Sequence, residues 1–163
     1  MKSARMKRLF GTSGNCFDVA IDHGMFNEPG FLNGIENMHN AIRVVADAEP
    51  DAIQLPPGTA PILQAISGKA RPALVLRTDI ANVYGNPLPQ KLFSVVFVDA
   101  VEEAIMLDAA CFVVNLLMLP NQPALHDACI KNINLLKRAC EKVGMPLMVE
   151  PLVMQDNAKA GGG

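Results

Sequence analysis

Five short apolar runs, each followed by polar residues, constrain the fold of this chain more than any other feature. Near-continuous apolar strands of this length are buried on both faces, which is typical of a parallel sheet whose strands are joined by helices. Stretches with helical periodicity follow most of the runs. The sequence therefore predicts an α/β fold with its chemistry at the carboxyl ends of the strands. The runs lie at residues 17–22, 52–55, 73–76, 112–117 and 146–149.

Cap and stop residues place the helices between these runs. Thr59 can cap a short helix, and Asp99, with a carboxylate three residues later, has the pattern of a capping box. Gly144 is a natural stop for the longest helix. The segment before the first run is polar and rich in glycine, and we interpret it as an N-terminal arm, residues 1–15. Four helices are predicted, at about residues 34–48, 59–66, 99–110 and 123–143.

Two architectures fit this order of elements, an open doubly wound sheet and part of a (β/α)8 TIM barrel. A glycine-rich phosphate-binding pattern is missing after the first run, which disfavours a nucleotide-binding sheet. A TIM barrel usually needs about 250 residues, whereas this chain has 163. We therefore expect residues 16–163 to supply about the first five βα units, with five strands and four helices. The three glycines at the end would then lie in the loop after the fifth strand, or in a linker.

Charge and composition argue against several other classes of protein. The net charge is −2, which does not indicate binding to nucleic acid or to an anionic membrane. Continuous apolar stretches fall short of the roughly 20 residues of a membrane span. The four cysteines form no C-x-x-C pair, so we interpret them as reduced thiols of a cytoplasmic protein.

Polar residues at the ends of the apolar runs are the candidate site. Asp22 and His23 end the first run, Arg77 and Asp79 end the third, and Glu150 ends the fifth. Arg77 could bind a substrate phosphate or carboxylate, or could instead form an internal ion pair with Asp79 or Glu150. Asp22 is either catalytic or a loop cap, and His23 either contacts substrate or supports its loop.

Asn115 interrupts the fourth run, where it either lines the barrel mouth or satisfies backbone groups. The loop at residues 80–90, which contains Tyr84, is long for a compact domain unless it has a function.

Several motifs resemble one enzyme family. Asp22-His23-Gly24 resembles the D-H-G motif of class I aldolases in the group that includes deoxyribose-phosphate, tagatose-bisphosphate and archaeal fructose-bisphosphate aldolases. The second turn, residues 57–60, and the segment from Asp99 to Ala104 are similar to that family. Residues 147–152 resemble the "hhhEPL" pattern of the tagatose-bisphosphate branch. The four motifs come in the family's order and cover most of the chain.

The resemblance implies a homo-oligomeric TIM barrel that binds a small, phosphorylated ketose or aldehyde and needs neither a metal nor an organic cofactor. A lysine on the sixth strand would form a Schiff base with the substrate. Asp22 would position or protonate the substrate hydroxyl, and Glu150 would act as the acid and base near the imine. Archaeal members have a tyrosine just past the fifth strand, where this chain has Leu152, Val153 and Met154, which favours Glu150.

The expected lysine is the main departure from the family pattern. An imine-forming lysine must be deprotonated near neutral pH, which requires burial or a cationic neighbour. The lysines of this chain do not end apolar strands, so we expect the nucleophile beyond residue 163. Two other functions remain open: a metal-dependent barrel lyase with Asp22, His23 and Glu150 as ligands, or a truncated barrel with a binding or scaffold role. The lysines after the first run are Lys69, Lys91, Lys131, Lys137, Lys142 and Lys159.

Overall fold

The computed structural model describes residues 2–85 and 87–154, which contain a parallel five-stranded sheet and a separate hairpin. The sheet has the strand order β1-β2-β3-β6-β7, and each neighbouring pair is parallel. The α/β fold and the five parallel strands expected from the sequence are confirmed. The strands are β1 (Asp18–Ala20), β2 (Ala52–Leu55), β3 (Ala73–Arg77), β4 (Asp79–Asn82), β5 (Phe93–Val96), β6 (Cys111–Met118) and β7 (Leu147–Val153).

Four of the five described helices lie between strands in the sequence and pack on one face of the sheet. The longest helix matches its expected bounds and stops at Gly144, whose φ of 65° is the left-handed conformation that favours glycine. None of the described helices combines the length and the apolar character needed to cross a membrane. The helices are α1 (Lys2–Leu9), α2 (Met38–Asp47), α3 (Ala60–Gln64), α4 (Ala100–Met106) and α5 (Pro123–Val143), with short 3-10 turns at His23–Phe26 and Pro29–Leu32.

Successive side chains of β3 point to opposite faces of the sheet. Leu74 and Leu76 point to the helices, where they join a core with Ile42 of α2 and Leu136 of α5. Ala73, Val75 and Arg77 are the alternate residues of β3 and lie on the other face, which we call the inner face. At the amino ends of the strands, the inner face is covered by Leu9 of α1 and lined by small side chains: Ala52, Ala73, Val75, Ala110, Cys111 and Val113.

Part of the predicted N-terminal arm is a helix. Lys2–Leu9 forms α1, and the helix is held by an ion pair between Arg8 and Asp108 at 2.9 Å. Arg5 also donates a hydrogen bond to the carbonyl of Ala109. The sequence did not predict this helix because the segment is polar and has no apolar stripe. Leu9 is its one deeply buried residue among those whose side chains are described.

The capping predictions for two helices are wrong in their chemistry. Asp99 precedes α4, but its φ of 55° is left-handed, and its side chain makes no capping hydrogen bond within the described residues. Thr59 precedes α3 and donates its hydroxyl to the carbonyl of Pro56 at 3.4 Å instead of accepting from the helix. Sequence spacing located both helix starts without fixing the backbone conformation that a side-chain cap requires.

The long loop predicted at residues 80–90 begins as a strand. Asp79–Asn82 is β4, which pairs antiparallel with β5 outside the main sheet. Only Thr78 separates β3 from β4, so the chain bends sharply at the carboxyl end of β3. The hairpin therefore projects beyond the carboxyl end of the central strand of the sheet.

Candidate active site

Arg77 is the centre of a buried ion cluster on the inner face. It ends β3 and is only 1% exposed. Its Nε donates to Oδ2 of Asp22 at 2.6 Å, its Nη2 to Oε2 of Glu150 at 2.5 Å, and its Nη1 to Oδ1 of Asp79 at 3.3 Å. The guanidinium thus binds three carboxylates, which is the internal ion pair that the sequence left as one alternative for Arg77.

The carboxylates reach Arg77 from both edges of the sheet. Asp22 follows the edge strand β1, and Glu150 lies in the opposite edge strand β7, whereas β3 is central. Adjacent strands lie about 4.8 Å apart, so each edge strand would lie roughly 10 Å from β3 in a flat sheet. Both edges must curve towards the inner face for one guanidinium to bind both carboxylates. This curvature is that of a half-barrel.

Gln54 of β2 completes the environment of Asp22. Its Nε2 donates to Oδ2 of Asp22 at 2.9 Å, the same oxygen that binds Arg77, and Asp22 is only 4% exposed. Gln54 is a site residue that the sequence reasoning missed. The available signal was its polar side chain inside an otherwise apolar run, since such a residue must find a partner when buried.

Asp79 and Asn115 support the cluster from the hairpin and from β6. Oδ2 of Asp79 accepts hydrogen bonds from the backbone N and the Nδ2 of Asn115, at 3.2 and 3.0 Å. Both side chains are fully buried. Burial raises the pKa of Asp79, and the nearby Arg77 and the Asn115 hydrogen bonds oppose this shift. In this structure the two residues contact each other rather than an open mouth.

Asp18 adds a further carboxyl to the inner face. It precedes Asp22 by four residues and lies on the same side of β1, paired in register with Ala52. Burial raises its pKa to about 6, and the charges of Asp22 and Glu150 add to this shift, while Arg77 opposes it. Its Oδ1 is buried and has no partner among the described residues. Sequence reasoning assigned Asp18 no role.

His23 lies next to the cluster without joining it. It opens the 3-10 turn that follows Asp22, and its ring meets Phe31 edge-on at a centroid distance of 6.3 Å. Its Nδ1 is buried, and the described part of the chain offers it no hydrogen-bond partner. This buried nitrogen is thus a polar atom whose hydrogen-bonding capacity the described residues leave unused.

Lysines on α5 and at the amino ends of the strands lie away from the cluster, and Lys159 is outside the described residues. Lys131 pairs with Asp127 at 2.6 Å and Lys137 with Glu141 at 2.8 Å, both on exposed parts of α5. Lys69 lines a cleft of about 600 Å³ with Asp51 and Arg71, at the amino ends of the strands. Across residues 2–85 and 87–154, no group of three or more His, Cys, Asp and Glu side chains is placed to hold a metal ion.

The chain is similar to known proteins in sequence and in fold. The family model described as "DeoC/LacD family aldolase" matches residues 16–162. An uncharacterised aldolase of Saccharolobus solfataricus is 29% identical over 158 residues, which are 94% of this chain and 56% of that protein. The crystal structure of Cgl0159 from Corynebacterium glutamicum superposes with a TM-score of 0.66 at 15% identity, covering 93% of this chain and 55% of that one. The chain thus spans about half the length of both proteins.

Proposed function

Because this chain belongs to the DeoC/LacD family of aldolases, we propose that the protein cleaves or forms a C–C bond in a small, phosphorylated, sugar-like ketone. The reaction proceeds through a Schiff base between the substrate and a lysine. The protein works as a homo-oligomer, as the resemblance to class I aldolases implies. The observation that supports this function best is the binding of three carboxylates by one buried arginine.

The cluster contains more carboxyl groups than cationic groups. Asp22, Asp79 and Glu150 face the single guanidinium of Arg77, and Asp18 adds a fourth carboxyl nearby. An excess of buried negative charge is costly unless a cation compensates it. A lysine ammonium, or the iminium that it forms with a ketone, is a cation of the right kind. We propose that this lysine lies beyond residue 163, as expected from the sequence. The lysines described on α5 and at the amino-end cleft lie away from the cluster, which supports this proposal.

The two carboxylates at the edges of the sheet have different environments and take different roles. The side chain of Glu150 is 37% exposed, so it can reach a substrate while one oxygen stays on Arg77. Glu150 is the acid and base that moves protons near the imine. Asp22 is held by Arg77 and Gln54 and presents its carboxylate to the substrate hydroxyl.

The remaining predicted site residues divide into two groups. His23, whose Nδ1 has no partner among the described residues, contacts the substrate. Arg77, Asp79 and Asn115 fix the positions of the carboxylates, since their side chains are fully or almost fully buried and bonded to one another. We propose this supporting role in place of the direct substrate contact expected from the sequence.

Borohydride trapping tests the Schiff base. A lysine amine and a ketone lose water to form an imine, and hydride reduces that imine to a stable secondary amine. The full-length protein incubated with a ketose phosphate and borohydride should gain the mass of the reduced substrate adduct. Glu150→Gln and Asp22→Asn should lower kcat at least about 100-fold. Glu102→Gln, on the exposed side of α4, is the matched control and should leave kcat unchanged.

Two results would contradict the proposal. Activity without an adduct, abolished by a chelator, would support the metal-dependent lyase with Asp22, His23 and Glu150 as ligands. Neither activity nor an adduct with any ketose phosphate would leave the binding or scaffold role.

A further inference from the structure

Tyr84 is held against the two 3-10 turns that follow Asp22 by two aromatic contacts. It is the only tyrosine of the chain and lies two residues after β4. Its ring meets Phe26 at a centroid distance of 4.9 Å and Phe31 at 4.8 Å, both edge-to-face. Edge-to-face pairs of this kind fix the orientation of a ring beyond what simple burial does.

The segments that hold Tyr84 are joined to the ion cluster. Phe26 ends the 3-10 turn that begins directly after Asp22, whose carbonyl accepts the backbone N–H of Met25 at 3.1 Å. On the other side, the hairpin that carries Tyr84 begins with Asp79, a partner of Arg77. Asn27 and Asn82 link the turn to the hairpin through a 3.4 Å hydrogen bond. The position of Tyr84 is therefore fixed relative to the carboxylates on two sides.

The phenol hydroxyl of Tyr84 feels the charge of Glu150. Tyr84 is half-buried, and burial together with the charge of Glu150 raises its pKa. Within the described residues the hydroxyl of Tyr84 has no hydrogen-bond partner. The hydroxyl oxygen is also not fully buried. A neutral phenol without a partner among the described residues can donate one hydrogen bond to a bound molecule.

We propose that Tyr84 is a further substrate-binding residue, whose hydroxyl donates a hydrogen bond to a substrate oxygen beside Glu150. This inference rests on the proposed aldolase function. The phenol donates while Glu150 accepts, so the pair recognises a substrate that presents both an acceptor oxygen and a hydroxyl proton. A polyhydroxylated ketone or aldehyde has both groups on neighbouring carbons.

Tyr84→Phe in the full-length protein tests the inference, since it removes only the hydroxyl and keeps both ring contacts. We expect KM for the substrate to rise about tenfold with a smaller change in kcat, as for the loss of one hydrogen bond between neutral groups. The melting temperature should stay that of the wild type. Unchanged kinetic constants in the folded variant would overturn the inference, whereas the proposed function fails only if the wild type lacks activity and adduct.

A second measurement does not depend on activity. The tyrosinate absorbance that is lost in Tyr84→Phe gives the titration of Tyr84 alone. Glu150→Gln should shift this titration to lower pH, because it removes the negative charge that disfavours the tyrosinate. A titration that is the same with Glu150 and with Gln at that position would place the phenol outside the site and overturn the inference.

Discussion

At the residue scale, Asp18 shows what the curvature of the sheet does to a carboxyl group. Desolvation and the neighbouring Asp22 and Glu150 raise its pKa from 3.8 to about 6. A carboxyl with a raised pKa in the folded state binds its proton more tightly there than in the unfolded chain. The folded protein therefore loses stability as pH rises from about 4 through about 6.

Asp18→Asn should remove this pH-dependent loss, because asparagine carries no charge to desolvate. We expect the variant to be more stable than the wild type above about pH 6 and to lose that advantage below about pH 4. Urea unfolding at several pH values measures the difference. Asp47→Asn, at an exposed carboxylate of α2, is the control and should not reproduce this pH dependence. A gain in stability that is constant with pH would contradict the explanation.

The sequence predicted the site residues that lie at the carboxyl ends of apolar strands. Asp22, Arg77 and Glu150 all follow or end apolar runs, and parallel strands bring such ends together. Gln54 and Asp18 lie inside their runs, so their roles depend on which face each residue occupies and on how far the sheet curves. Neither quantity can be read from one sequence.

At the element scale, the hairpin is the part of the fold that the sequence pattern hid. Prolines and a glycine follow Tyr84 and indicate a loop, whereas the strand pairing of β4 and β5 depends on contacts distant in sequence. One such contact is the side chain of Asn132 in α5, whose Nδ2 donates to the carbonyl and the hydroxyl of Ser94 at 3.1 and 3.3 Å. The α5 helix thus holds the hairpin over the carboxyl ends of the strands. The bounds of α5 were predictable because its apolar periodicity is long and ends at a glycine.

Asn132→Ala should loosen the hairpin and lower the free energy of unfolding by about 1 kcal/mol, since it deletes the donor of these hydrogen bonds. Asn134→Ala, two residues along the same helix and exposed, is the matched control. We expect it to change the free energy of unfolding by less than about 0.5 kcal/mol. Equal effects of the two substitutions in urea unfolding would mean that the Ser94 contact does not stabilise the hairpin.

At the scale of the whole molecule, the sheet has two edges, β1 and β7, which pair with no further strand among the described residues. Apolar side chains are exposed near both of them: Phe17 is 67% exposed beside β1, and Val153 is 56% exposed in β7. An open edge with exposed apolar residues is a template for pairing with another chain.

The 163-residue chain expressed alone should therefore self-associate or aggregate. Sedimentation velocity over a range of concentrations would measure this, and the full-length protein provides the comparison. A soluble monomer of these 163 residues that unfolds cooperatively would contradict the interpretation of the sheet as half of a barrel.

The small side chains at the amino ends of the inner face have a mechanical consequence for the site above them. Ala52, Ala73 and Ala110 allow neighbouring strands to bend inwards, and that bend brings Asp22 and Glu150 within reach of one guanidinium. The distance between the carboxylates of Asp22 and Glu150 therefore depends on how strongly the sheet bends. A larger side chain at Ala73 would reduce this bend. It would increase the distance between the carboxylates of Asp22 and Glu150 without contacting either of them.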